Sequence, residues 1–267
     1  MTSGGELGDF LRAARSRVAP AAAGLAEGLS SRRVTGLRRE EVAVLAGVSV
    51  DYLARLEQGR ERNPSPQVVT ALGRALQLDY AARAHLQRLA GWGGDVPPAS
   101  GEVSPELAGL LASFPAAAAY VLGPAFDVLA ANSIAAGLLS PFGDERNMVV
   151  ILFAHPSAQT VFVDWRELRS ATVQALRLNA SRFPDDARIL SVVRDLSAAS
   201  PEFAELWGSQ RVAALTRAFK VFTHPRAGRI ELSYQTFDAV DAPGQQLLVG
   251  IPASGSASEA ALRALDA

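Results

Sequence analysis

The sequence predicts two folding units of different class: an all-α N-terminal domain built around a helix-turn-helix, and an α+β C-terminal domain. Three observations predict this. The stretch REEVAVLAGVSVDYLARLEQ, residues 39–58, places Val42, Ala43 and Ala46 on one helical face, breaks at Gly47, and supplies a second face from Val48, Leu53 and Leu56. Residues 93–101, GGDVPPASG, read as a linker by composition. Beyond Val221 the apolar residues change from helical spacing to alternation, which implies an antiparallel sheet. The domains are accordingly placed at 1–92 and 104–267, with the linker at 93–103.

In chain order, Leu7, Phe10, Leu11, Ala14 and Val18 recur at three and four and predict a first amphipathic helix. Residues 19–36 form a long loop whose Ser30, Ser31, Arg32 and Arg33 suit either a phosphate backbone or plain solvent. Two short helices at a steep angle follow. Gly47 supplies the positive φ of the turn between them, and Ser49 caps the second. Ala43 is small where the two helices come closest. Ser65-Pro66 starts a fourth helix carrying Val69, Leu72 and Leu76, and Asp79 caps a fifth with Leu86 and Leu89.

In the second domain Ser104-Pro105 opens a short helix through Leu111. Two apolar runs, Tyr120 to Leu122 and Phe126 to Leu129, flank Gly123-Pro124 and read as a hairpin. Asn132 to Leu139 reads as helix, as does Trp165 to Phe183, with Asp185 to Leu196 continuing it. Ser200-Pro201-Glu202 starts another helix, with Phe203, Leu206 and Trp207. Three strands then close the chain at Val221 to His224, Ile230 to Phe237 and Leu247 to Ile251. Strands on both sides of a helical block predict a sheet assembled from the two ends of the domain.

Composition narrows the function. A length of 267 residues suits a small and a larger domain. No apolar run reaches the ~18 to 20 residues of a membrane span, and the N-terminus lacks a signal pattern, so the expectation is a cytoplasmic protein without membrane insertion. The chain has no cysteine, and its three histidines, His85, His155 and His224, are far apart; no metal site and no cofactor are expected. No GxSxG, HExxH, GxGxxG or Walker-type loop occurs, which argues against an enzyme. The net charge of −1 conceals an asymmetry: residues 1–95 carry 13 Arg against 10 acidic residues, and the remainder is acidic. Lys220 is the only lysine, and the preference for arginine is not read as functional.

The surface left over on the second helix of the motif points to double-stranded DNA. Ser49, Val50, Asp51, Arg55 and Gln58 fall off its apolar face with Tyr52 at the edge, while Arg38, Arg39 and Arg60 flank it as candidate DNA contacts, Arg39 and Arg60 for phosphates. The segment LRREEVAVLAGVSVDYLARLEQGRERNPSPQVVTALGRALQLD resembles the Xre-type, λ-repressor-like helix-turn-helix of the MmyB-like transcription regulators. RNMVVILF, the Trp165 region, SPEFAELW and THP at 223–225 resemble that family's C-terminal domain, so the likeness covers nearly the whole chain. It implies a λ-repressor-like five-helix domain, a PAS-like ligand-binding domain, and a fatty-acid-like or other apolar small-molecule ligand; a homodimer is expected because one helix-turn-helix reads too little DNA alone and needs two half-sites. It also implies that Glu57 pairs with an arginine of the first helix, here Arg15.

Candidate ligand contacts are the aromatics Phe153, Trp165, Phe203, Trp207, Phe222 and Tyr234, with Asn132, Arg146, Asn147 and His224 as polar groups for a ligand head. Each also has a plainer reading, the aromatics as ordinary core and His224-Pro225 as a turn. The chain departs from the family at WGSQRV, where Gln210 and Arg211 replace the usual His-Asp pair, so that pair's role does not carry over. The competing functional reading is a constitutive dimeric repressor whose C-terminal domain only dimerises.

Overall fold

The computed structural model describes residues 3–25, 36–92, 102–215 and 218–266. The loop residues Ser30 to Arg33 and the linker at 93–101 lie outside the described residues. By its contacts the chain divides into two compact units, Met1–Asp95 with Leu206–Ala213, and Val96–Glu205 with Ala214–Ala267.

The first unit is all-α: α1 (Ser3–Arg17), α2 (Arg39–Ala46), α3 (Val50–Glu57), α4 (Pro66–Ala75) and α5 (Tyr80–Leu89). Each cap read from the sequence forms. The side chains of Ser49, Ser65 and Asp79 accept hydrogen bonds from the amides of Tyr52, Val68 and Ala82 and so fix where α3, α4 and α5 begin. Gly47 ends α2 in the left-handed region at φ 66°, which turns the chain toward α3 without the Cβ penalty another residue would meet. Leu7, Phe10 and Leu11 of α1 are fully buried together with Leu53 and Leu56 of α3 and Leu72 of α4. Each such side chain contributes about 1.5–3 kcal/mol of transfer free energy. α1 crosses α3 so closely that a Cβ on Gly8 would come within 2.4 Å of the Glu57 carbonyl oxygen.

The second unit is α+β. It begins with α6 (Pro105–Leu111), β1 (Ala118–Leu122), β2 (Val128–Ala131) and α7 (Ser133–Leu139), the last prolonged by one 3-10 turn. A helical block follows, α8 (Met148–Ala154), α9 (Ala158–Val161), α10 (Trp165–Arg182), α11 (Ala187–Ala199) and α12 (Pro201–Gly208), whose residues from Leu206 on fall in the first unit. The chain returns as β3 (Ala218–His224), β4 (Gly228–Asp238) and β5 (Gln246–Ile251) and ends in α13 (Ala257–Arg263). The strands form one antiparallel sheet in the order β2-β1-β5-β4-β3. First and last strands therefore lie side by side, Tyr120 opposite Leu248, as the two-ended reading required.

Register divides the side chains between two faces. Ala119, Val121, Leu247 and Val249 pack on Leu111 of α6. Tyr120, Leu122, Leu248, Leu232 and Tyr234 are buried on the opposite face. Gly250 lies across from Tyr234, and a Cβ there would meet the Tyr234 ring at 2.5 Å, so the glycine is what lets that ring lie flat against β5.

The elements differ from the sequence reading in three ways. β2 starts at Val128, because Phe126, expected inside it, sits buried in the hairpin turn at φ 64°. Its amide donates to the Gly123 carbonyl, and that of Gly123 donates to Asp127, at 2.9 Å each. α10 stops at Arg182, and Asp186 caps α11 as a separate helix. α8, α9 and α13 were not foreseen.

Candidate nucleic-acid interface and interior cavity

In the helix-turn-helix a buried carboxylate orients the whole motif. Glu57, at 1% exposure, accepts from Arg15 Nε at 2.7 Å and from Arg39 Nε at 2.6 Å. Arg15 also donates to the Leu37 carbonyl at 2.9 Å, and Arg12 donates to the Glu57 carbonyl. One side chain at the end of α3 thus ties together α1, α2 and α3. The Arg15 pairing implied by the family resemblance is present, and Arg39 joins it, which the sequence did not suggest.

That partnership changes the reading of Arg39. Its guanidinium was expected to hold phosphate, but its Nε is committed to Glu57, while its side chain remains 41% exposed. Ser49, Val50, Asp51, Arg55 and Gln58 are exposed along one side of α3 and Tyr52 is half-buried at the edge. Arg55 pairs with Asp51 one turn back and lies over the Tyr52 ring. The guanidinium is thereby held along the exposed side of α3 rather than left to swing. Arg38 and Arg60 are exposed at either end of the motif.

The second unit holds a narrow crevice on the inner face of its sheet. Its cavity volume is about 30 Å³, partly open to solvent, between the sheet residues Leu122, Lys220 and Leu248 and the helical residues Met148, Leu152, Leu168 and Thr172. A connected recess, sharing Leu122, Met148, Phe162, Lys220 and Leu248, extends to Tyr120, Phe222 and Tyr234. Ring stacking builds this wall: Phe162 packs on Phe222 at 5.3 Å, and Tyr120 stacks with Tyr234 at 6.3 Å. The two tyrosine hydroxyls hydrogen-bond at 2.9 Å. Burial raises the pKa of each hydroxyl, so both remain protonated.

Of the expected ligand contacts, only Phe222 and Tyr234 line this space. The polar four do not line this space, and each makes hydrogen bonds within the fold. Asn132 Oδ1 caps α7 through the Ala135 amide and accepts from Ala119, while its Nδ2 donates to the carbonyls of Phe114 and Ala117. Asn147, fully buried, caps α8 through the amides of Val149 and Val150 and donates to Ala125 and Asp127. Arg146 is exposed and donates to the Gly143 carbonyl. His224 Nδ1 accepts from the amides of Arg226 and Ala227 at 3.2 Å, and its Nε2 lies 3.2 Å from the Gly137 carbonyl, which makes it the turn element of its plainer reading.

Phe153, Trp165 and Phe203 form a separate cluster. Arg169 lies 4.2 Å over both the Phe153 and Trp165 rings and pairs with Glu202 at 2.6 Å, while Phe203 meets Phe153 edge-on at 5.1 Å. Trp207 is half-buried at the end of α12 and does not line the crevice. The residue that sequence reasoning missed is Lys220. It sits opposite the buried Leu232 in the β3–β4 register, on the inner face. The signal was available in AFKVFTH: a lone lysine in phase with Phe222 and His224, both buried.

A capped helix-turn-helix with an exposed recognition face, joined in one chain to an α+β domain with an interior crevice, defines a DNA-binding transcription regulator with a ligand-binding domain. Family comparison agrees in both halves. A helix-turn-helix domain family matches residues 6–86, and the MmyB-like transcription regulator ligand binding domain matches residues 103–265. The chain belongs to the MmyB-like transcription regulators. No curated protein matches it. Among the described residues no helix is long and apolar enough to cross a membrane, and no cluster of His, Asp or Glu has the form of a metal site.

Proposed function

We propose that the protein is a cytoplasmic, homodimeric regulator that binds a specific operator through α3 and changes its affinity when an apolar small molecule occupies the C-terminal domain. On this reading Val50, Asp51, Tyr52 and Arg55 face base edges, with Ser49 and Gln58 at the ends of the surface. Arg38 and Arg60 hold phosphates, and the exposed part of Arg39 adds to them. The single observation that supports sensing is the apolar crevice lined by Leu122, Met148, Phe162 and Leu248, between the sheet and the helical block. The strand order β2-β1-β5-β4-β3, with the helical block inserted between β2 and β3, supports the PAS-like assignment, and the five helices α1 to α5 around the helix-turn-helix support the Xre-type one.

The test is to purify the chain, identify any co-purifying lipid by mass spectrometry, and titrate that lipid into an operator-binding assay. The expected result is a bound apolar molecule that shifts operator affinity. A chain that carries no small molecule and whose operator affinity ignores every candidate would leave the constitutive dimeric repressor.

A further inference from the structure

The exposed side of α3 presents an uneven set of groups. Val50 is apolar and half-exposed, and Ser49 Oγ is engaged by the Tyr52 amide at 3.1 Å. Between them and Gln58 stands one ion pair. Arg55 Nη1 donates to Asp51 Oδ2 one turn back, and the guanidinium lies 5.7 Å over the Tyr52 ring. The Asp51 side chain is 78% exposed and that of Arg55 45%, so both tips face solvent. An exposed pair at this spacing stabilises a helix little. The buried Leu53 and Leu56, not this pair, hold α3 to the core.

A carboxylate that loses water against DNA needs donors in its place. Phosphates are anionic and repel it. In the major groove the donors are the N4 amine of cytosine and the N6 amine of adenine. Beside the adenine amine lies the N7 lone pair, which a carboxylate meets unfavourably; beside the cytosine amine lies only a C–H. A group that can only accept therefore fits cytosine. Arg55 is the complement. Asp51 occupies its Nη1, which leaves the Nε–Nη2 edge for two parallel bonds, the pattern of O6 and N7 of guanine.

We propose that Asp51 and Arg55 read DNA as one unit: Arg55 holds a guanine, and Asp51 accepts from the N4 amine of a cytosine in the adjoining base pair. Residues one turn apart are ~5 to 6 Å from each other at the helix surface, which is one to two base steps, and the joined tips reach the nearer pair. Asp51 is then a specificity-determining residue, and each half-site carries two neighbouring G·C pairs. This rests on α3 as the base-reading helix and deepens that reading, since a free arginine would specify the guanine alone.

Binding-site selection from a random duplex library, with the full chain, tests it. Wild-type protein should select a guanine with a cytosine in the next pair. Replacing that C·G pair by T·A puts the O4 acceptor where the amine was and should weaken binding about 5- to 150-fold. Asp51→Asn, whose amide matches N6 and N7 of adenine, should move the preference at that position from cytosine to adenine and keep the guanine. Arg55→Ala should relax the guanine. Circular dichroism and thermal unfolding check that both variants are folded, and the base-pair replacement requires no variant. If Asp51 serves only as a negative charge in the first turn of α3, Asp51→Asn would tighten binding to every sequence by one factor with the selected half-site unchanged, and that result would overturn the proposal. So would a wild-type half-site with no cytosine beside the guanine. After either result, a shift caused by Arg55→Ala still leaves α3 as the reading helix. A selected site indifferent to both Asp51→Asn and Arg55→Ala would remove that reading as well.

Discussion

At the residue scale, the control of the DNA-binding domain lies in Glu57, whose two arginine partners make its stability cooperative. Removing one partner of a buried ion pair ordinarily costs ~3–5 kcal/mol, because the other charge is stranded. Here Arg15→Met leaves Glu57 paired with Arg39, so its cost should fall below that range. Arg15→Met with Arg39→Met should reach it, and adding Glu57→Leu should recover part of the loss. Amide exchange of α1 to α3 across this set of variants measures the coupling, and additive costs would show that the three side chains do not act together. His224 supplies a second expectation. Burial, the largest cause, lowers its pKa, Arg226 pushes the same way, and the Gly137 carbonyl opposes them. The unfolded chain therefore binds the proton more readily, so the stabilisation is complete above the ordinary value of about 6.5 and is lost as pH falls from there toward the folded value. In His224→Asn, whose Oδ1 can accept the same turn amides, that acid-side slope of the unfolding free energy should be missing; an unchanged slope would assign it to other groups.

At the scale of the element, what was legible in the sequence was whatever local chemistry fixes. Ser49, Ser65, Asp79 and Ser104 each precede a helix by the geometry of a single side-chain acceptor, and each was read correctly. Asn132 and Asn147 have the same chemistry but were taken for ligand groups, since an asparagine before an apolar run looks the same whether it caps a helix or lines a cavity. Helices α8 and α9 were missed because runs as short as MVVILFA and AQTV are too brief to show a period. The left-handed Phe126 was beyond reach for another reason: tertiary burial of its ring holds a backbone conformation that a phenylalanine does not favour. For α3 the legible pattern leads to a direct test. Arg55 is held along the exposed side of α3 by Asp51 and Tyr52, and on the proposed reading it meets a guanine edge, a contact worth ~1–3 kcal/mol of discrimination. Arg55→Ala should relax sequence preference at one position per half-site. Arg60→Ala should weaken all sequences alike and reduce the salt slope by about one. Binding-site selection at two salt concentrations separates the two roles, and an effect of Arg55→Ala on salt dependence alone would remove it from base reading.

At the scale of the molecule, neither site is sufficient alone. One helix-turn-helix reads few base pairs, and useful specificity ordinarily requires two recognition helices presented about 34 Å apart by a dimer. A ligand in the crevice reaches DNA only if it binds one dimer arrangement more tightly than another, and a tenfold change in operator affinity requires ~1.4 kcal/mol of such coupling. The sheet provides a lever for testing this. Gly250→Ala places a methyl group within 2.5 Å of the Tyr234 ring, so that ring must leave β5 and encroach on the recess that Tyr120, Phe222 and Lys220 share with it. The helix-turn-helix, with a core of its own in α1 to α5, should keep its intrinsic affinity for DNA. The expected outcome is therefore a regulator that still recognises its operator in mobility-shift titrations but no longer changes affinity when the co-purified lipid is added. Linkage is reciprocal, so the wild-type protein should also bind that lipid more or less tightly by the same factor when saturated with operator. A Gly250→Ala protein that responds to ligand as the wild type does, or a wild-type protein whose lipid affinity is indifferent to operator, would uncouple the crevice from DNA binding.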